Sequence, residues 1–240
     1  MSGQGGDRAL EVIVMSVDDA VRAEEGGATR VEVVRDIHQD GLTPDRSLVE
    51  GLLARVRIPL RVMVRPRNTF LVGDPAHRDE IRRDAERFAD LPVDVVTGYV
   101  RAAADGTSEL DEEALALVTE RVPRARITVH RAVERLTADP SAALHRCAAV
   151  DRVLSGGGAG SWQERMARLV DLQARIAPVR VIVGGGVTDE GVALLAEQPS
   201  LTELHVGRLA RVDASFTQTV DVATVARLRR AWFGEAAQES

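Results

Sequence analysis

The sequence predicts a single-domain α/β protein, a TIM-type (β/α)8 barrel, and three observations carry that prediction. A short run rich in Val, Ile and Leu, a polar or glycine-containing loop and a helix-period stretch follow one another eight times without interruption. No linker, low-complexity tract or composition break divides the 240 residues, 45% of them hydrophobic, which is enough for one large core. The last two apolar runs end in glycine: Val181-Ile182-Val183 enters Gly184-Gly185-Gly186, and Leu204-His205-Val206 enters Gly207-Arg208. Strand, glycine and helix in that order expose backbone N–H groups to an anion, and the loops after the last two strands are the usual phosphate site of a barrel. Continuous alternation implies a parallel sheet covered by helices, and eight units close it; an open doubly wound sheet is the alternative.

In chain order, strands are expected at Leu10–Met15, Arg30–Val34, Leu60–Val64, Val93–Thr97, Arg126–His130, Arg152–Leu154, Arg180–Val183 and Glu203–Val206. The intervening helices are expected at Asp18–Glu25, Arg46–Arg55, Pro75–Ala89, Asp111–Arg121, Pro140–Ala148, Ser161–Ile176, Asp189–Ala196 and Val222–Trp232. Asp139-Pro140, Ser161 with Glu164 three residues on, and Thr188 are helix-start signals. Asp105-Gly106 reads as a plain turn. The barrel is expected over residues 9–233, with frayed ends at 1–8 and 234–240.

Composition narrows the function. A formal net charge of −6, with acidic and basic residues interspersed, gives no nucleic-acid or anionic-membrane footprint. No apolar run approaches the ~20 residues of a membrane span, and the polar start MSGQGGDR has no apolar signal segment, so a cytoplasmic protein with a small soluble ligand is expected. Cys147 is the only cysteine, which forbids an intrachain disulfide or a cysteine-cluster metal site, and its helix-like setting reads as a small buried hydrophobe. All basic residues are Arg; without Lys there is no Schiff-base chemistry. The oligomeric state stays open, a homo-oligomer included.

Function in a parallel barrel concentrates at the C-terminal ends of the strands. There the chain places Glu11, Glu32, Arg65 and Arg67, then His130-Arg131 with Glu134. Strand alternation puts Glu11 with Ile13 and Met15, Met63 with Arg65, and Thr128 with His130. If those faces point inward, a charged cluster lines the mouth, and buried charges must pair or bind something. His130 and a glutamate are candidates for proton transfer, with Arg65, Arg131 and Glu134 beside them. Ser155, Gly156, Gly157, Gly184, Gly185, Gly186, Gly207 and Arg208, joined by Arg67, are candidates for holding a phosphate or carboxylate. Among the other histidines, His38 lies in the loop after the second strand, whereas His77 and His145 read as solvated helix positions.

An ordered set of motifs resembles the CutC family of copper homeostasis proteins. It comprises Leu10-Glu11-Val12 with Ser16-Val17-Asp18-Asp19, Gly26-Gly27-Ala28 with Arg30-Val31-Glu32-Val33, Asp40-Gly41-Leu42-Thr43-Pro44, and Ile58-Pro59-Leu60 with Met63-Val64-Arg65-Pro66-Arg67. It continues through Asp94-Val95-Val96-Thr97-Gly98, Thr128-Val129-His130-Arg131-Ala132-Val133-Glu134, Arg152-Val153-Leu154-Ser155-Gly156-Gly157 and Glu203-Leu204-His205, covering about residues 9–210. The resemblance implies a TIM-type barrel associated with copper or another metal ion. The chain departs from the family where it carries Ile13 and Val34 in place of cysteines, in the loop Asn68–Val72, and at Gly207-Arg208. Copper(I) prefers thiolate or thioether ligands, and only Met15 and Met63 stand near the mouth; Glu11, Glu32, Asp36, His38 and His130 would suit a harder divalent ion. The alternative is an acid–base lyase or isomerase acting on a small phosphorylated or carboxylated metabolite, without copper.

Overall fold

The computed structural model describes residues 8–234. Their elements are β1 (Ala9–Val14), α1 (Val17–Glu25), β2 (Arg30–Val33), α2 (Arg46–Leu53), β3 (Leu60–Met63), α3 (Pro75–Glu86), β4 (Asp94–Thr97), β5 (Val100–Ala102), β6 (Ser108–Leu110), α4 (Glu112–Thr119), β7 (Ile127–Val129), α5 (Ser141–Arg146), β8 (Val150–Ser155), α6 (Trp162–Ile176), β9 (Arg180–Val183), α7 (Asp189–Ala196), β10 (Glu203–Val206) and α8 (Val222–Phe233), with short 3-10 turns between them. The eight expected strands close into a parallel barrel in the order β1-β2-β3-β4-β7-β8-β9-β10, with β10 returning to β1. The open-sheet alternative is therefore excluded. No helix among the described residues is long and apolar enough to cross a membrane.

Local chemistry sets the helix starts. Ser161 and Glu164 form a reciprocal capping box at α6, and Thr188 accepts from the Gly191 N–H at α7. The β5–β6 hairpin was not expected; its strands are three residues each, too short to show a period, and Gly106 turns between them at φ 85°. Arg8, assigned by the sequence to a frayed end, is instead tied down: it donates to Ala196 O at 2.6 Å and to Trp232 O and lies 4.7 Å from the Trp232 ring. Gly234, also assigned to an end, instead caps α8 with its N–H on Arg230 O, and the rest of the expected ends, residues 1–7 and 235–240, lies outside the described residues. His77 is buried rather than solvated, because it shares the inner stripe of α3 with Ile81, Asp84 and Ala85 and meets the edge of Tyr99. His145 is exposed, and Cys147 is half-buried against the core.

The main core lies between barrel and helices, where outward strand residues such as Val12, Val31, Val62 and Val181 meet Ala20, Leu52 and Leu169. A separate apolar cluster, Ile13, Val34, Met63 and Val96, lies inside the mouth. Below it the interior is ionic. Arg30 pairs with Glu11 and, at 2.7 Å, with Glu203; Arg152 grips Glu203 at 2.7 Å; Arg61 bonds Thr128 and lies 3.7 Å from Glu11. Unpaired charges buried here would each cost several kcal/mol, so the set is stable only as a whole. Arg30→Met, which removes the guanidinium shared by two buried carboxylates, is expected to lower unfolding free energy by about 3–5 kcal/mol, read as a fall in the urea midpoint at unchanged slope.

Candidate functional site

At the mouth, the inward face of β2 presents Glu32 and the inward face of β10 presents His205. Both side chains are buried, at 3% and 5% exposure. His205 Nδ1 lies 2.7 Å from Glu11 Oε1, and its Nε2 lies 3.4 Å from Glu32 Oε2. Glu32 Oε1 has no hydrogen-bond partner among the described residues. The three groups form a column from the ionic floor to the mouth, with Glu11 lowest. Burial opposes charge on Glu11, but Arg30, the His205 hydrogen bond and Arg61 outweigh it and hold the carboxyl far below its ordinary range. Burial likewise opposes charge on His205, yet Glu32 and Glu11 raise its pKa above the ordinary value. Burial dominates at Glu32, and with repulsion from Glu11 it pushes the carboxyl up to about 7 against the pull of His205.

His130 stands at the end of β7, where it caps the turn 131–135 and Nδ1 accepts the Ala132 N–H at 3.0 Å. With Nδ1 accepting, the neutral ring carries its hydrogen on Nε2. That atom is buried and without a partner among the described residues, and Phe70 stands edge-on at 5.2 Å. Burial, then Arg65, pushes the His130 pKa down to about 3. The expected role of His130 is thereby corrected: at neutral pH Nε2 is a hydrogen-bond donor, not a base.

Glu32, His130 and His205 open into one cavity of about 640 Å³, walled by apolar side chains and reached past Gly185, Gly186, Gly207 and Arg208. The N–H groups of those four residues have no acceptor among the described residues, and Arg208 has no ion pair there. The other glycine loop is already filled. Glu134 Oε1 accepts the Gly156 N–H at 2.5 Å and lies 3.3 Å from Ser155 Oγ, which in turn accepts from the Gly157 N–H. Arg131 pairs with Glu134 at 2.9 Å and lies over Gly185. The expected anion seat at Ser155, Gly156 and Gly157 is thus held by the chain's own carboxylate. Gly184 offers no free N–H either: it bonds Ser155 O, and a Cβ there would come within 2.8 Å of His205.

Two expected arginines do not face the cavity. Arg65 donates to Gln39 O, Gly41 O and Asn68 Oδ1 at 2.7–2.9 Å and lies on Phe70, bracing the loops after β2 and β3. Arg67 is held outside the mouth by Glu80 at 2.6 Å and Asp74 at 2.9 Å. Glu11 supports the site from below and does not line it. His205 was missed as a site residue although Glu203 and Gly207 share its face; a lone histidine in an apolar strand gives little signal until its neighbours across the sheet are known.

The comparisons with known proteins follow that geometry. The CutC family model matches residues 8–209. This chain belongs to the CutC family. A family protein CutC of Xanthomonas axonopodis pv. citri is 32% identical over 199 residues, covering 82% of this chain and 81% of its own length. The copper homeostasis protein cutC homolog of Mus musculus is 32% identical over 209 residues, covering 85% of this chain and 75% of its own. Among solved structures, the putative copper homeostasis protein CutC from Streptococcus agalactiae aligns with TM-score 0.72 at 21% identity, over 83% of this chain and 98% of that one. A phosphoribosyl anthranilate isomerase from Thermococcus kodakaraensis aligns at 0.58 with 16% identity, over 97% and 100%, and shares the barrel.

The residues of this member do not fit a copper site. Ile13 and Val34, where the motif resemblance leads one to expect cysteines, pack with Met63 in an apolar wall, and Met15 packs against it. Asp36 and His38 are exposed, and among the described residues no three His, Cys, Asp or Glu side chains are grouped to hold a metal ion. The set Glu11, Glu32, Asp36, His38 and His130 therefore does not assemble. Because the folded pKa of His130 lies below its ordinary value, its contribution is complete above about pH 6.5 and is lost as pH falls toward about 3. Urea unfolding near pH 4 should show about 3 kcal/mol less stability from this group than near pH 7, and His130→Asn should remove that part of the pH dependence.

Proposed function

We propose that this CutC-family chain is an acid–base enzyme of the isomerase or lyase type acting on a small phosphorylated or carboxylated metabolite, and that copper binding is not its activity. The observation that carries this reading is Glu32: a buried carboxyl with one oxygen unpartnered in a cavity and a pKa near 7, backed by His205 and Glu11. A group half-protonated near neutral pH both accepts and returns a proton efficiently. Glu11 holds His205 by a hydrogen bond, His205 attracts one Glu32 oxygen from 3.4 Å, and the other oxygen is the one proposed to exchange a proton with the substrate. The anionic end of the ligand would lie on the N–H groups of Gly185, Gly186 and Gly207 and on Arg208, where positive charge is unspent. The absence of Lys removes an imine route and leaves proton transfer. Copper homeostasis is the name its relatives carry; the donor chemistry of this mouth, without thiolates, argues against it here.

Carbon-13 NMR of glutamate-labelled protein tests the central claim. A carboxyl titrating near pH 7 should be present, should vanish in Glu32→Gln, and should move upward in His205→Gln, which removes the cation that opposes the shift. A Glu32 carboxyl titrating in the ordinary range would sink the proposal. In parallel, Cu(I) should be stripped completely by a chromogenic chelator of modest affinity; retention of one equivalent would restore copper as the ligand.

A further inference from the structure

Two polar atoms are buried and without a hydrogen-bond partner among the described residues, on side chains that line the same cavity: Glu32 Oε1 and His130 Nε2. Their chemistry is opposite. The carboxylate oxygen can take a proton, whereas Nε2 carries one, because Nδ1 is committed to the Ala132 N–H. The walls between them, Ile13, Val34, Met63, Phe70, Leu154 and Phe216, hold no group that could act as a nucleophile. A base and a fixed N–H donor in such a site are complementary to a carbon acid beside a carbonyl: one end receives the proton, the other the oxygen on which negative charge develops. Glutamate paired with a neutral imidazole is a known solution for enolisation in barrel enzymes.

The rim adds the ligand's charge. One set of loop N–H groups, at Gly185, Gly186 and Gly207 beside Arg208, is open, and the other is filled by Glu134, itself paired with Arg131. The open set offers N–H donors and a guanidinium unpaired among the described residues to an anionic group.

We infer that the cavity enolises a small hydroxy-carbonyl compound bearing a terminal phosphate, with Glu32 as the base and His130 as the donor to the carbonyl oxygen. This rests on the acid–base reading above and specifies its substrate. The C–H bond next to the carbonyl breaks and its proton passes to Glu32 Oε1. The bonding pair becomes the C=C bond of the enolate, and the carbonyl π pair moves to oxygen, which accepts the His130 Nε2–H. Return of a proton from Glu32 to the neighbouring carbon, with the hydroxyl proton passing to the former carbonyl oxygen, gives the isomeric carbonyl compound. Return of a solvent proton to the original carbon gives exchange, and neither route consumes an oxidant or second substrate.

The test is proton NMR of the full chain in deuterium oxide with a panel of three- to five-carbon ketose and aldose monophosphates and their unphosphorylated counterparts. The expected result is loss of the C–H signal beside the carbonyl for at least one monophosphate, with kcat/KM at least 100-fold lower for its unphosphorylated form. Glu32→Gln should abolish exchange. His130→Asn, which keeps an acceptor for the Ala132 N–H but lacks the Nε2 donor, should lower kcat at least 100-fold with KM within about threefold, whereas His130→Gln, which returns an N–H near that position, should recover part of the loss. Thermal melts of both variants separate lost catalysis from lost folding. No exchange with any monophosphate, or wild-type kcat in folded His130→Asn, overturns the inference. The Glu32 titration in ligand-free protein is independent of both results, so failure here with a carboxyl still titrating near 7 would leave the acid–base reading standing.

Discussion

The Glu11 carboxylate is the charge around which the barrel interior is arranged. It lies at the bottom of β1 among Arg30, Arg61 and His205, and it is ionised because those three outweigh the cost of burying it. With Glu32 it raises the pKa of His205 against the cost of burial, and Glu11 and His205 in turn act on Glu32 above them. Glu11 repels charge on Glu32 while His205 attracts it, and burial tips the balance toward the proton. The reactivity of the mouth is thus set one layer down, by a residue that touches no part of the cavity.

Barrel interiors are ordinarily filled by layers of branched aliphatic side chains. Here one aliphatic layer is kept, at Ile13, Val34, Met63 and Val96, and the floor is made of ion pairs. Such a floor adds little net stability over a well-packed apolar one, since desolvation offsets most of the attraction. What it adds is definition. A guanidinium with carboxylates on two sides admits few arrangements, and the arrangement it admits holds His205 upright beneath Glu32. The apolar layer above then isolates that column laterally, so that its electrostatics are weakly screened.

The fold was legible because eight strands and eight helices each left a periodic trace, and the ordered motifs named the family before any contact was known. The β5–β6 hairpin left none at three residues a strand, and His77 was hidden because a polar residue occupied an apolar phase of α3. The site was legible in part. Glu32, His130, Gly185, Gly186, Gly207 and Arg208 do meet at one cavity, as strand ends in a barrel must. Arg65 and Arg67 do not, because a strand-end position fixes where a side chain starts and not where five guanidinium donors find carbonyls and carboxylates; Arg65 found Gln39, Gly41 and Asn68, and Arg67 found Asp74 and Glu80. His205 escaped because its meaning depends on Glu11 and Glu32, which are remote in sequence and adjacent only once the barrel closes. The role of His130 turned on a hydrogen bond to Ala132 that fixes a tautomer, a detail no spacing encodes.

Glu134 divides the glycine loops of the mouth. Its carboxylate is anchored in the turn after β8 by the Gly156 N–H and paired with Arg131, while two strands round the barrel, after β10, Arg208 has no ion pair among the described residues. The first loop is thus neutralised from within and the second keeps its guanidinium unspent. An anionic group entering the mouth is drawn toward the second. The glycines that look interchangeable in the sequence differ in this respect: one set is the mount for an internal counter-ion, and the other leaves its N–H groups to whatever enters.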